Sequence, residues 1–170
     1  LTMCVALGVN DFLKSHNIKS KLKWPNDVMV NNRKICGILS EHVDIPKKDL
    51  KGVIIGIGLN INMTTNEVEK IDQPATSMLL ECDRSFDLKD TLNGLCEHLI
   101  FWIKKWEINS SFTSIKKYWI KNSTAIGDFI SVRDQQNQIS GKLNGYGDYG
   151  ELLIKSNGKI KTVWSGDIEI

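Results

Sequence analysis

No run in this 170-residue sequence reaches the about 20 apolar residues that a membrane-spanning helix requires, so a helical span is excluded. An excess of charge of one sign is lacking too. The net charge is +2 and the pI is near 8.3, too mild a balance to imply nucleic acid or an anionic membrane as partner. Cysteine is sparse and unpatterned: Cys4, Cys36, Cys82 and Cys96 show no CxxC or other metal-type spacing. Each sits among apolar neighbours, which reads as four buried free thiols in a reducing, cytoplasmic compartment. The start lacks the basic segment of a secretory signal, and Asn10, Asp11 and Lys14 interrupt its apolar stretch. Internal repeats and low-complexity segments are missing as well.

What is there is ordinary globular composition, 41% hydrophobic and 25% charged, enough to bury a core. Residues 2–16 carry Val5, Leu7, Val9, Phe12 and Leu13 among small residues, the pattern of a mostly buried helix ended by His16-Asn17. Lys21 to Trp24 and Val28 to Val30 read as short strands around a Pro25-Asn26-Asp27 turn. Asn31-Asn32 suits a tight hairpin turn, because asparagine tolerates positive φ. A return strand spans Ile35 to His42, Pro46-Lys47-Lys48-Asp49 forms a polar connection, and the β-branched and glycine run Val53–Asn62 predicts a central strand. Thr76 or Ser77 caps a short helix containing Met78, Leu79 and Leu80. Asp87 or Asp90 precedes a longer helix with Leu92, Leu95, Leu99, Ile103 and Trp106 on one face, and a third helix covers about 111–120. From Ile126 onward, glycines at 127, 141, 145, 147, 150, 158 and 166 separate short alternating runs, a compact β unit of about five strands with its boundary near Ser123.

Three clusters carry possible chemistry. Lys23-Trp24-Pro25-Asn26-Asp27 packs a cation, an amide and a carboxylate around a proline-stiffened turn; it is either a site or a surface turn with Trp24 packed beneath. Lys34 opens a strand that continues Ile35-Cys36-Gly37-Ile38-Leu39. A lysine there is solvated, or aimed into a cleft where it neutralises a phosphate as a point charge. Gly37, in mid-strand, lets a ligand or another backbone come close. Gly56-Ile57-Gly58-Leu59-Asn60 is neither GxGxxG nor a Walker sequence, so its glycines read as close-approach positions in a strand. Asn60 either reads a base edge with its amide or bonds a neighbouring backbone group. No metal-ligating set is identified, and His16, His42 and His98 fall outside the clusters, leaving no evident general base.

In this order and at these gaps, Lys-Trp-Pro-Asn-Asp, Arg33-Lys-Ile-Cys-Gly-Ile-Leu39 and Gly-Ile-Gly-Leu-Asn-Ile-Asn62 resemble the biotin–protein ligases. Ala75-Thr76-Ser77, Trp119-Ile120-Lys121-Asn122 and Val163-Trp164-Ser165-Gly166-Asp167-Ile168 extend the resemblance over essentially the whole chain. The resemblance implies an α+β fold: a mixed sheet with packed helices, part of a class II synthetase-like catalytic domain (1–122), then a small SH3-like β-barrel (123–170). It implies an enzyme that joins biotin to ATP as biotinyl-5′-adenylate, with Mg2+, and passes biotin to a lysine of a biotin carboxyl carrier domain of a carboxylase. Lys34, Lys23 and Asp27 match the catalytic positions, with the role of Asp27 open. Asn26, Lys34, Gly37, Gly56, Gly58 and Asn60 match the ligand-binding positions, Asn60 the one that reads adenine.

In that family a glycine- and arginine-rich loop and a serine–threonine segment precede the helix with which this chain opens, and neither is among these 170 residues. The expectation is a truncated portion with little or no ligase activity alone, and with a homodimer possible in the complete protein. The alternatives are a lipoate–protein ligase or octanoyltransferase of the same superfamily, a regulator whose DNA-binding module lies upstream, and a non-catalytic remnant or binding module.

Overall fold

The computed structural model describes residues 1–45, 50–108, 111–133 and 138–169. The expected connection at Pro46–Asp49 lies outside the described residues. The chain is α+β, with helices packed on one of two antiparallel sheets.

Helix α1 (Thr2–Ser15) runs through the core: nine of its residues, from Cys4 to Leu13, are buried. His16 caps it, and Asn17 takes positive φ as the chain turns. Strands β1 (Lys21–Lys23), β2 (Asp27–Val30), β3 (Arg33–Ile45) and β4 (Leu50–Leu59) form the first sheet in the order β1-β2-β3-β4. Asn31 and Asn32 both take positive φ (48° and 60°), the left-handed pair that a two-residue hairpin needs, which asparagine adopts at little cost.

Two expectations are corrected here. Among the described residues the expected mixed sheet is antiparallel throughout its strands, with parallel pairing confined to isolated bridges at Leu22↔Ser123 and Lys34↔Ala75. The run 53–62 was expected to be central because it is β-branched, yet β4 is the edge strand among the described residues, with Val53 and Ile54 about half exposed.

The helices α2 (Thr65–Val68), α3 (Met78–Cys82) and α4 (Leu88–Glu107) follow. Ser77 accepts a hydrogen bond from the Leu80 N–H and Asp87 from the Asp90 N–H, which decides the caps of α3 and α4. Helix α4 packs along α1 through Thr91, Leu95, Leu99 and Trp102; Leu92, expected on this face, points to solvent. The expected third helix is broken into a 3-10 turn (Phe112–Ser114) and α5 (Lys116–Asn122).

The second sheet holds the five expected strands, β5 (Phe129–Arg133), β6 (Gln138–Tyr146), β7 (Leu152–Ser156), β8 (Lys159–Val163) and β9 (Asp167–Glu169), in the order β8-β7-β6-β5-β9. It meets the first part of the chain through aromatic contacts: Trp119 and Phe112 lie against Tyr146, and Trp24 Nε1 donates to the Gly150 carbonyl at 2.9 Å.

Candidate active site

The first sheet has a core face and an open face, and alternation along each strand sorts the residues between them. Leu22, Val28, Val30 and Ile38 point into the core. Ile55, Ile57 and Leu59 of β4 pack against the same core, which places Gly56 and Gly58, at the intervening positions, on the open face. Register then aligns one cross-strand row on the open face: Lys23 opposite Asp27, Asp27 opposite Gly37, and Gly37 opposite Gly58.

Lys34 joins this face by a departure from regularity. Simple alternation puts residues 34 and 37 on opposite faces. Between β2 and β3, however, Val28 pairs with Cys36 while Met29 pairs with Lys34, so Ile35 is an inserted, bulged residue. Ile35 and Cys36 are consecutive and both buried, as a bulge that turns two neighbours inward allows. The phase shift carries Lys34 onto the open face beside Gly37. Its backbone is clamped there by the segment before α3: the Lys34 N–H donates to the Pro74 carbonyl (2.8 Å), and the Thr76 N–H donates to the Lys34 carbonyl (3.0 Å).

The Lys34 ammonium lies 2.6 Å from Asp27 Oδ1, an oxygen that is buried and accepts no hydrogen bond from another group among the described residues. Gly37 makes this pair possible: a Cβ there would stand 2.9 Å from Lys34 Cε and 3.1 Å from Nζ. Beneath them, burial foremost and then the charge of Asp27 push the Cys36 thiol up to about 12, against a smaller opposing effect of Lys34. Cys36 is therefore a neutral packing group. Cys4 is buried as expected, whereas Cys82 is partly exposed and Cys96 exposed, correcting the expectation of four buried thiols.

Two cavities follow one another along β3. Lys34 and Gly37 border the smaller, about 140 Å3, together with Gly58, Asn60, Ile71 and Gln73. Asn26, Leu39 and Ser40 border the larger, about 540 Å3, together with Trp24, Phe112 and Trp164; residues 1–3 line it too, so it lies where the start of α1, β3 and the five-stranded unit meet. Of the expected site residues, Lys34, Asp27, Gly37, Gly58 and Asn60 are brought together. Lys23 shares their row beyond Asp27, Asn26 faces the larger cavity, and Gly56 lies one step along, opposite Leu39.

The two asparagines commit their amide donors to the backbone, Asn26 to the Ile38 carbonyl (2.7 Å) and Asn60 to the Thr76 carbonyl (2.9 Å). Each keeps an acceptor oxygen for a ligand. The sequence reading missed Ile71 and Gln73; the polar Gln73-Pro74 step before the helix signal is the mark that could have found them.

Residues 1–60 match the biotin/lipoate A/B protein ligase family. This part of the chain belongs to that family. The bifunctional ligase/repressor BirA of Bacillus subtilis is 31% identical over 175 residues, an alignment that takes in 100% of this chain and 52% of that protein. The biotin–acetyl-CoA-carboxylase ligase of Paracoccus denitrificans is 27% identical over 79% of this chain and 56% of its own length. The chain thus spans about half the length of these curated relatives. Among solved structures, the biotin protein ligase of Aquifex aeolicus in complex with biotin and ATP superposes with a TM-score of 0.82 at 29% identity, covering 99% of this chain and 69% of that one. The fold of the described residues, the second sheet included, is that of the biotin protein ligases.

Proposed function

We propose that these residues form the greater part of the ligand site of a biotin–protein ligase, which makes biotinyl-5′-adenylate from biotin and ATP and transfers biotin to a lysine of a biotin carboxyl carrier domain. The observation that carries this reading is the placement of Lys34 beside Asp27 and over Gly37, where β3 passes from the smaller cavity to the larger. Nucleotide and acid would meet there, the nucleotide in the smaller cavity with its base toward Asn60 and the acid along Leu39 in the larger.

In the first step a carboxylate oxygen of biotin bonds to the α-phosphorus, the bond to the bridging oxygen breaks, and pyrophosphate leaves. Two anions are forced together, so a preplaced ammonium lowers the barrier by meeting charge as it develops. Asp27 holds that ammonium in place before the ligands arrive. Gly37 and Gly58 keep the floor bare so that phosphates can approach the sheet. Lys23, in line beyond Asp27, adds positive field. In the second step the carrier amine attacks the acyl carbonyl, the bond to the adenylate oxygen breaks, and AMP departs with the amine losing its proton; positioning of the amine is the main requirement.

Among the described residues no group of three or more His, Cys, Asp and Glu side chains converges as a cation site, and Asp27, the carboxylate at hand, is occupied by Lys34. The residues present do not fit a protein-held Mg2+; it is assigned here as a companion of the nucleotide phosphates. The proposal also takes 1–122 as the catalytic domain and 123–170 as an SH3-like domain that walls the larger cavity. The edge of β4 is assigned as the route to a homodimer. No described helix is long and apolar enough to cross a membrane; the cytoplasmic site of action belongs to the ligase reading.

The test is biotin-dependent exchange of pyrophosphate into ATP by the natural full-length protein. Lys34→Ala should lower the exchange by about 10²–10³-fold. Exchange that persists at the native rate removes Lys34 from the chemistry, and exchange supported by lipoate in place of biotin assigns the protein to the lipoate branch.

A further inference from the structure

Thr76 is held on three sides and carries no part of the reaction proposed above. It is fully buried. Its N–H donates to the Lys34 carbonyl (3.0 Å), its carbonyl accepts from Asn60 Nδ2 (2.9 Å), and its hydroxyl donates to Glu81 Oε1 (2.6 Å). The same Glu81 oxygen accepts from Arg33 Nη2 at 2.9 Å. Thr76 therefore links the lysine expected at the phosphates to the asparagine expected at the base. The Asn60 backbone is fixed as well, its N–H donating to the Ile35 carbonyl and its carbonyl accepting from the Met78 N–H, each at 2.9 Å.

A carbonyl can only accept, so the Thr76 carbonyl decides which way the Asn60 amide turns. The NH2 group must face Thr76, and Oδ1 is the atom left over. No donor among the described residues reaches Oδ1, and Asn60 lines the smaller cavity.

We propose that Thr76, braced by Glu81 and Arg33, is a positioning residue that fixes the Asn60 amide with its acceptor free, so that the site selects a nucleobase presenting a hydrogen-bond donor over one presenting a carbonyl. This rests on the smaller cavity being the nucleotide site. An adenine amino group satisfies the acceptor. A base with a carbonyl at the same position sets oxygen against oxygen, and a buried polar group left unpaired is the strongest basis for rejecting a near-isostere. Without its hydroxyl bond, residue 76 gains freedom, the carbonyl no longer dictates the amide, and Asn60 can flip to offer NH2 instead.

The experiment compares ATP with ITP, which carries a carbonyl where adenine carries its amine, in biotin-dependent release of pyrophosphate by the natural full-length protein. The native protein should prefer ATP by at least about tenfold in kcat/KM. Thr76→Val should narrow that preference by about two- to tenfold, the range of one neutral hydrogen bond. The change should fall on the nucleotide KM and leave the KM for biotin in place, and Thr76→Ser, which keeps the hydroxyl, should restore the preference. If Thr76→Val does not fold, Glu81→Ala removes the same brace from a partly exposed position and should narrow the preference in the same way. A native protein that uses ATP and ITP equally, or folded Thr76→Val or Glu81→Ala with the native preference, overturns the proposal. A native protein that releases no pyrophosphate with biotin and either nucleotide refutes the ligase reading instead.

Discussion

Gly37→Ala separates the position of the lysine from the stability of the strand that carries it. Gly37 has none of the positive φ that would make alanine strained, and the reduced freedom of the unfolded chain favours alanine by about 0.4–1 kcal/mol. The new methyl group meets Lys34 Cε at 2.9 Å and Nζ at 3.1 Å, with Asp27 Oδ1 an ordinary contact at 3.6 Å. Carbon contacts are optimal at about 3.5–4.0 Å, so the end of the lysine must retreat by about 0.6–1.1 Å. A flexible side-chain terminus moves that far at little cost to folding, and the melting temperature should stay close to native. Catalysis is less forgiving: a displacement of about 1 Å at a reacting group costs about 10²-fold. Biotin-dependent pyrophosphate exchange by the full-length protein should therefore fall by about that factor. Gly52→Ala on β4 is the matched control, since among the described residues its methyl group meets only Val43 Cγ2, at 3.4 Å. Native exchange in Gly37→Ala would refute the argument that this glycine sets the lysine and that the lysine position matters.

Trp24→Phe should remove the donor to the Gly150 carbonyl and leave that carbonyl unpaired at the junction of the two sheets, a loss of about 1–3 kcal/mol. Denaturant melts of the full-length protein check it, and a loss below about 0.5 kcal/mol would mean that water replaces the indole. Cys36 gives a pH dependence. Burial holds the folded thiol near a pKa of about 12, above its ordinary value of 9.0, so between these limits the unfolded chain releases a proton that the folded chain keeps. Stability is fully present below pH 9 and falls as pH rises, by about 1.4 kcal/mol per pH unit for this thiol. The drop in melting temperature from pH 8 to pH 10.5 should be smaller in Cys36→Ala than in the native protein, and equal drops would refute it.

Much of the fold was legible because its signals are local. Asn31-Asn32 specifies its turn through positive φ, Ser77 and Asp87 cap their helices, and the glycine spacing after residue 126 marks the five strands. The candidate site was legible as three clusters, but their joint geometry was not. Read by simple alternation, Lys34 falls on the face opposite Gly37. Only the bulge at Ile35 brings them together, and a bulge leaves no mark in Arg-Lys-Ile-Cys-Gly that a regular strand would lack. The edge position of β4 was misread for a related reason. β-branched residues report a strand that packs well on one face, and they say nothing of whether both of its edges are paired. Ile71 and Gln73 were missed because they reach the cavity from a loop, where no periodicity points inward.

The glycines of β3 and β4 show how the sheet reconciles stability with an open site. A glycine inside a strand costs roughly 0.5–1 kcal/mol relative to alanine, and Gly37 directly opposite Gly58 removes a cross-strand pair as well. The ladder tolerates this because it continues through ten paired positions, from Cys36↔Leu59 to Ile45↔Leu50, and because the other face buries Cys36 and Ile38 and packs Ile57 and Leu59 against the core. The open face is then free of any packing duty. It can leave Leu39 60% exposed beside the larger cavity and Gly37 and Gly58 bare beside the smaller. An exposed leucine next to bare backbone is a poor surface for water, and it suits the proposed aliphatic acid joined to a phosphate. The alternation Ile55-Gly56-Ile57-Gly58-Leu59 therefore writes both requirements into one strand: the large residues hold the sheet on the core, and the missing side chains leave the floor on which ligand can lie.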